Sequence, residues 1–115
     1  MSQPVVYVSG PIRARSAWLR ELNIRAAELL ALQAWQAGAA VICPHSQGRF
    51  YDEHGVDWLR GDLAILARCD AVLVLPDWES SEGARREVAE ARRLGLPVLG
   101  SLVDLIALVQ ARMAV

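Results

Sequence analysis

Four short stretches of the chain are apolar at almost every position, and the segments between them turn apolar every three to four residues. The unbroken runs predict strands over Pro4–Ser9, Ala39–Cys43, Ala71–Leu75 and Leu96–Leu99. A strand that lacks polar alternation is one covered on both faces. The spaced pattern predicts helices over Ser16–Ala37, Val56–Arg68, Ser81–Leu94 and Leu102–Met113. Gly38 and Gly95 close two of them, and Ser101 is placed to cap the last. The order βαβαβαβα predicts an α/β protein with a three-layer, flavodoxin-like or Rossmann-like fold. Its parallel sheet has four to five strands, with the first strand central. No repeat, low-complexity tract or linker interrupts the pattern, so residues 1–115 read as a single domain.

In such sheets ligands bind beyond the carboxyl ends of the strands. Four segments converge there: Ser9-Gly10-Pro11-Ile12-Arg13, Pro44-His45-Ser46, Pro76 to Ser81, and Gly100-Ser101. The first is expected to be a ligand loop. Glycine lets a ligand approach the backbone, proline fixes the chain after it, and Arg13 offers a fork of donors. The plainer alternative is a chain reversal with Arg13 solvated. Neither the dinucleotide G-x-G-x-x-G pattern nor a P-loop is present.

Two carboxylates stand in unusual places. On a helix, Asp62 has Trp58, Leu59, Ile65 and Leu66 as its neighbours, all apolar. Either the helix restarts at Gly61 with Asp62 as its cap, or the carboxylate points into a pocket. Glu87 is flanked by Gly83, Ala84, Glu90 and Ala91, without an arginine at pairing distance. It is either an exposed glutamate or one with room left for a ligand. Ser80, Ser81 and Gly83 open the same helix at its positive end, where they serve as a cap or receive an anion. Tyr7 sits near the end of the first strand, as a core residue or with its hydroxyl at the rim. The two carboxylates are expected to share one pocket, with Tyr7 in hydrogen-bond reach of one of them.

Composition narrows the classes of function. The net charge is -1 with no basic block, which argues against nucleic-acid binding through a basic patch. All basic residues are arginine, so Schiff-base chemistry is excluded. No apolar stretch is long enough for a membrane span, and no charged leader precedes an apolar segment; a cytoplasmic protein is expected. Cys43 and Cys69 form no C-x-x-C and are expected to be buried thiols. His45 and His54 match no zinc spacing, so neither metal nor cofactor is expected.

Three motifs, "VYVSGPIR", "GDLAILARCDAVLVL" and "DWESSEGARREVAEARRLGLPV", appear in this order between Val5 and about Leu99. Together they resemble the nucleoside 2-deoxyribosyltransferase superfamily, and the chain is also similar to the 2′-deoxynucleoside 5′-phosphate N-hydrolases. The resemblance implies cleavage or transfer at an N-glycosidic bond of a nucleoside or nucleoside 5′-monophosphate, the sugar expected to be 2′-deoxy. It implies Glu87 as the nucleophile at C1′. Asp62 would position the sugar or handle the proton, and Tyr7 would orient the glutamate. The implied binding residues are Gly10, Ile12, Arg13, Ser81 and Gly83; Ser9, His45, Asp77 and Trp78, from the same converging segments, complete the expected binding set. A homodimer or larger homo-oligomer is implied as well. A non-catalytic nucleotide-binding module on the same fold is the alternative, and an assembly surface built on the tryptophans is a third. Arg15 and Glu79 depart from the hydrolase pattern, and "CPHSQGRFYDEHG" has no counterpart in it.

Overall fold

The computed structural model describes residues 3–47 and 55–114; His54 and the middle of the "CPHSQGRFYDEHG" segment lie outside the described residues. Four strands, β1 (Val5–Ser9), β2 (Ala40–Ile42), β3 (Ala71–Val74) and β4 (Val98–Leu99), form one sheet in the order β2-β1-β3-β4. All pairings are parallel: Tyr7 stands opposite Ile42 on one side and Val72 on the other. The helices are α1 (Ala17–Gln36), α2 (Trp58–Leu66), α3 (Glu82–Arg93) and α4 (Leu102–Met113). This is the expected α/β architecture, with β1 central.

Both faces of the sheet are covered, as the unbroken apolar runs require. Successive strand residues point to opposite faces. Val6, Val8, Ala71 and Leu73 pack with Ala27 and Ala31 of α1 and Leu105 and Val109 of α4. Tyr7, Val72 and Val74 pack with Leu66 of α2 and Val88 and Ala91 of α3. Val6 and Val8 are fully buried, each stabilising the fold by about 1.5–3 kcal/mol. The start of β1 is pinned by Asp70, whose Oδ2 accepts from the Val5 amide at 2.8 Å. Arg112 of α4 holds the other carboxylate oxygen at 3.5 Å.

The boundaries move where proline and capping intervene. Pro44 opens a short 3-10 turn, Pro44–Ser46, so β2 stops at Ile42 rather than Cys43. Cys69 is buried, but Cys43, at this exit, is only partly so. The chain turns out of α3 at Gly95, whose φ of +75° suits a residue without a Cβ. The Leu96 amide is spent on the Ala91 carbonyl at 2.9 Å, and Pro97 has no N–H, so β4 shrinks to two residues. Asp57, not Asp62, caps α2: its side chain accepts from the Arg60 amide at 3.1 Å. A second 3-10 turn, Trp78–Ser80, precedes α3 and has no signature in the hydrophobic pattern.

Candidate active site

At the carboxyl ends of β1 and β3 lies a cleft of ≈ 920 Å³. Its floor carries Glu87, in the second turn of α3. Ser81 caps that helix by accepting from the Ala84 amide at 3.2 Å, and this start sets Glu87 over β1. Tyr7 and Ser9 share one face of β1 by the period of two, and both reach the same carboxylate. The Tyr7 hydroxyl donates to Glu87 Oε2. The Ser9 hydroxyl donates to Oε1 at 2.8 Å. Each oxygen of Glu87 is thus held by a fully buried hydroxyl, while the carboxyl group itself lines the cleft.

Asp62 lines the same cleft, alongside Trp58 and Leu59 from the preceding turn of α2. The apolar neighbours seen in the sequence are therefore partly the cleft wall. No hydrogen bond or ion pair among the described residues reaches Asp62. Burial pushes its carboxyl up to about 6. Burial also pushes Glu87 up to about 7; the Tyr7 and Ser9 hydroxyls pull it down, and the charge of Asp62 adds to the rise. Tyr7 is held far above the phenol range by burial and by the charge of Glu87, so it remains a donor. A titration of the side-chain carboxyls by NMR should place Glu87 near 7 and Asp62 near 6. Asp62→Asn removes a negative charge and should lower the Glu87 midpoint. Tyr7→Phe removes a donor to the charged form and should raise it. Shifts of the same sign in both variants would contradict this electrostatic arrangement.

The loop after β1 forms one wall, through Gly10, Pro11, Ile12 and Arg13. Gly10 lines the cleft, and the core makes a further demand on it. A Cβ there would stand 2.2 Å from Leu75 Cδ1 and 2.9 Å from Leu75 Cβ, so the core side of the turn requires its absence. His45 is 4% exposed and clamps this turn: its Nε2 lies 3.1 Å from both the Gly10 and the Pro11 carbonyl oxygens. Those two acceptors put the proton on Nε2, and burial lowers the His45 pKa, keeping the ring neutral. Asn23 of α1 donates to the Ile12 carbonyl at 3.3 Å. The loop is thereby tied down from two sides, while the Arg13 side chain is exposed at the mouth.

Most of the expected set meets here. Ile12, Arg13, His45, Asp77, Ser81 and Gly83 line the cleft with Gly10 and the two carboxylates. Ser9 does not line it, because its hydroxyl is spent on Glu87. Trp78 is not in the lining either. It packs on the apolar cluster under α3, with Arg92 over its ring at 5.9 Å. Arg20 and Asn23 of α1 and Arg86 of α3 line the cleft and were not anticipated. Asn23, the only asparagine in the chain, carried a faint signal, since a short amide competes with helical backbone. Among the described residues no group of three or more histidine, cysteine or acidic side chains is arranged to hold a metal. Among them, too, no helix is long and apolar enough to cross a membrane.

Residues 4–100 match the sequence profile of a family described as Domain of unknown function (DUF4406). The chain belongs to this family. No curated protein matches the sequence. Among solved structures, the 2-deoxyribosyltransferase of the psychrotolerant bacterium Bacillus psychrosaccharolyticus has the same fold, with a TM-score of 0.60 at 20% identity. The alignment covers 82% of this chain and 69% of that one. The fold thus agrees with the nucleoside 2-deoxyribosyltransferase resemblance noted in the sequence.

Proposed function

We propose that the chain cleaves the N-glycosidic bond of a nucleoside or nucleoside 5′-monophosphate, with Glu87 attacking C1′. One observation carries this reading: a buried carboxylate, hydrogen-bonded through each oxygen, opens into a cleft that a second carboxylate shares. Breaking an N-glycosidic bond builds positive charge on the sugar ring, and a fixed carboxylate beside C1′ stabilises that charge or bonds to it. Tyr7 and Ser9 set the direction of the attacking oxygen. Asp62, on the facing helix, is placed to accept from a sugar hydroxyl or to carry the proton that the departing base needs. In the covalent route, the C1′–N bond breaks as the Oε–C1′ bond forms. The electron pair leaves on the base nitrogen, which takes up a proton. Water or a second base then attacks C1′ and frees Glu87. Arg13 at the mouth and the start of α3 are the groups that would meet an anionic part of the substrate, while Arg86 is engaged by Glu82 at 3.1 Å.

The test is release of free base from a panel of nucleosides and their 5′-monophosphates, in the ribo and deoxy series. Turnover is expected for at least one member. Its kcat/KM should rise with pH toward about 7, where Glu87 ionises, and then level off if Asp62 accepts from a sugar hydroxyl, or fall again if Asp62, near 6, carries the proton to the base. Arg13→Ala should cost more affinity for a monophosphate than for the matching nucleoside. Binding without turnover across the whole panel would replace the enzyme reading with a nucleotide-binding module.

A further inference from the structure

α1 carries two apolar faces where one suffices to cover the sheet. The inner face is Ile24, Ala27, Ala31 and Ala34, all buried. The other looks outward. Trp18 is 57% exposed, Leu22 41%, Leu29 57% and Leu32 53%, with Leu19 and Trp35 flanking them at 39% and 52%. With Arg25 included, the outer positions 18, 22, 25, 29 and 32 step by four, three, four and three residues. That is the seam of a helix that packs along another helix. A surface helix of a monomer carries charge on this side instead.

We infer that the outer face of α1 is a twofold interface, on which a second copy of this chain lays its own α1 antiparallel. A self-complementary seam is what an isologous contact needs. A twofold axis at the level of Ala27 sets Leu22 against Leu32 of the second copy, and Trp18 against its Trp35–Gln36 turn. It sets the Arg25 stem against Leu29 of the second copy rather than against a second arginine. The Arg25 charge is already answered within its own helix: Glu21 pairs with it at 3.2 Å, and its guanidinium lies 5.1 Å over the Trp18 ring. The six apolar side chains expose on the order of 600 Å². That approaches the ~800 Å² that each partner gives to a standard interface. The stripe runs along roughly 25 Å of helix. This inference does not depend on the glycosidic reading.

The test is the mass in solution, by sedimentation or light scattering at about 50 µM, of the wild type and two variants. The wild type should be a dimer. Leu29→Glu/Leu32→Glu should be monomeric, with unchanged far-UV circular dichroism, because both side chains are exposed in the monomer. Val103→Glu, on the exposed face of α4 (74% exposed), should leave the dimer intact. A monomeric wild type, a dimer that survives Leu29→Glu/Leu32→Glu, or dissociation by Val103→Glu would each overturn the assignment.

Discussion

Glu87→Gln should abolish base release while leaving ligand binding and the fold intact. The amide keeps the shape of the side chain and can still bond to the hydroxyls of Tyr7 and Ser9. It cannot attack C1′ or offset charge on the ring, so kcat should fall at least about 10³-fold, with a small change in affinity. The same substitution should stabilise the protein at high pH. Burial raises the Glu87 pKa from 4.5 to about 7, so the folded state prefers the neutral acid. The stability from the neutral form is complete below pH 4.5 and is lost as pH rises through about 7. The Tm of Glu87→Gln should therefore exceed that of the wild type at pH 8 by roughly 5 °C, and the gap should close toward pH 4.5. A variant that loses stability and activity together at pH 8 would mark Glu87 as structural.

Gly10→Ala should be the most destabilising single-methyl change in the cleft wall. The added carbon meets Leu75 Cδ1 at 2.2 Å and Leu75 Cβ at 2.9 Å, in a turn that His45 and the core both fix. Overpacking of this kind costs about 1–3 kcal/mol, a fall in Tm of roughly 5–15 °C. Leu75→Ala removes Cδ1 from the conflict. The double variant Gly10→Ala/Leu75→Ala should lose less than the sum of the two single losses. Thermal unfolding of the four proteins decides between the two reasons for this glycine. A Gly10→Ala protein with wild-type Tm but weakened ligand binding would return Gly10 to the role of admitting the ligand.

Much of the architecture was legible because strands covered on both faces leave no room for polar residues. Val6, Val8, Val72 and Leu73 announce the sheet, and Ser81 and Ser101 announce the helices they cap. The two carboxylates were legible for the opposite reason, since each interrupts an apolar or small-residue stripe. What holds them was not. The hydrogen bonds to Glu87 join residues 80 and 78 positions apart. The period of two puts Tyr7 and Ser9 on one face but does not say which helix covers it. Ser9 was therefore assigned to the ligand, where the fold gives its hydroxyl to Glu87, and the close packing of Gly10 against Leu75 had no signature at all. Trp78 is half-buried against the apolar cluster under α3, because a 3-10 turn without an apolar period directs it there. Arg86 reads by pattern as the surface partner of Glu82, and Arg20 carries no signal of its own; only the convergence of α1 and α3 puts them at one cleft.

A bond from Glu87 to C1′ adds the mass of a sugar to the protein, and that mass can be weighed. A fluorine at C2′ disfavours positive charge on the sugar, so a glycosyl ester once formed breaks down slowly. The protein is incubated with 2′-fluoro analogues of the nucleosides and monophosphates it turns over, then digested and weighed by mass spectrometry. One fluorinated sugar, with its phosphate where the substrate carries one, is expected on the peptide containing Glu87, and none on Glu87→Gln. Release of base from the normal substrate that is undiminished in Glu87→Gln, or a sugar attached to any other residue, would contradict a bond from Glu87 to C1′.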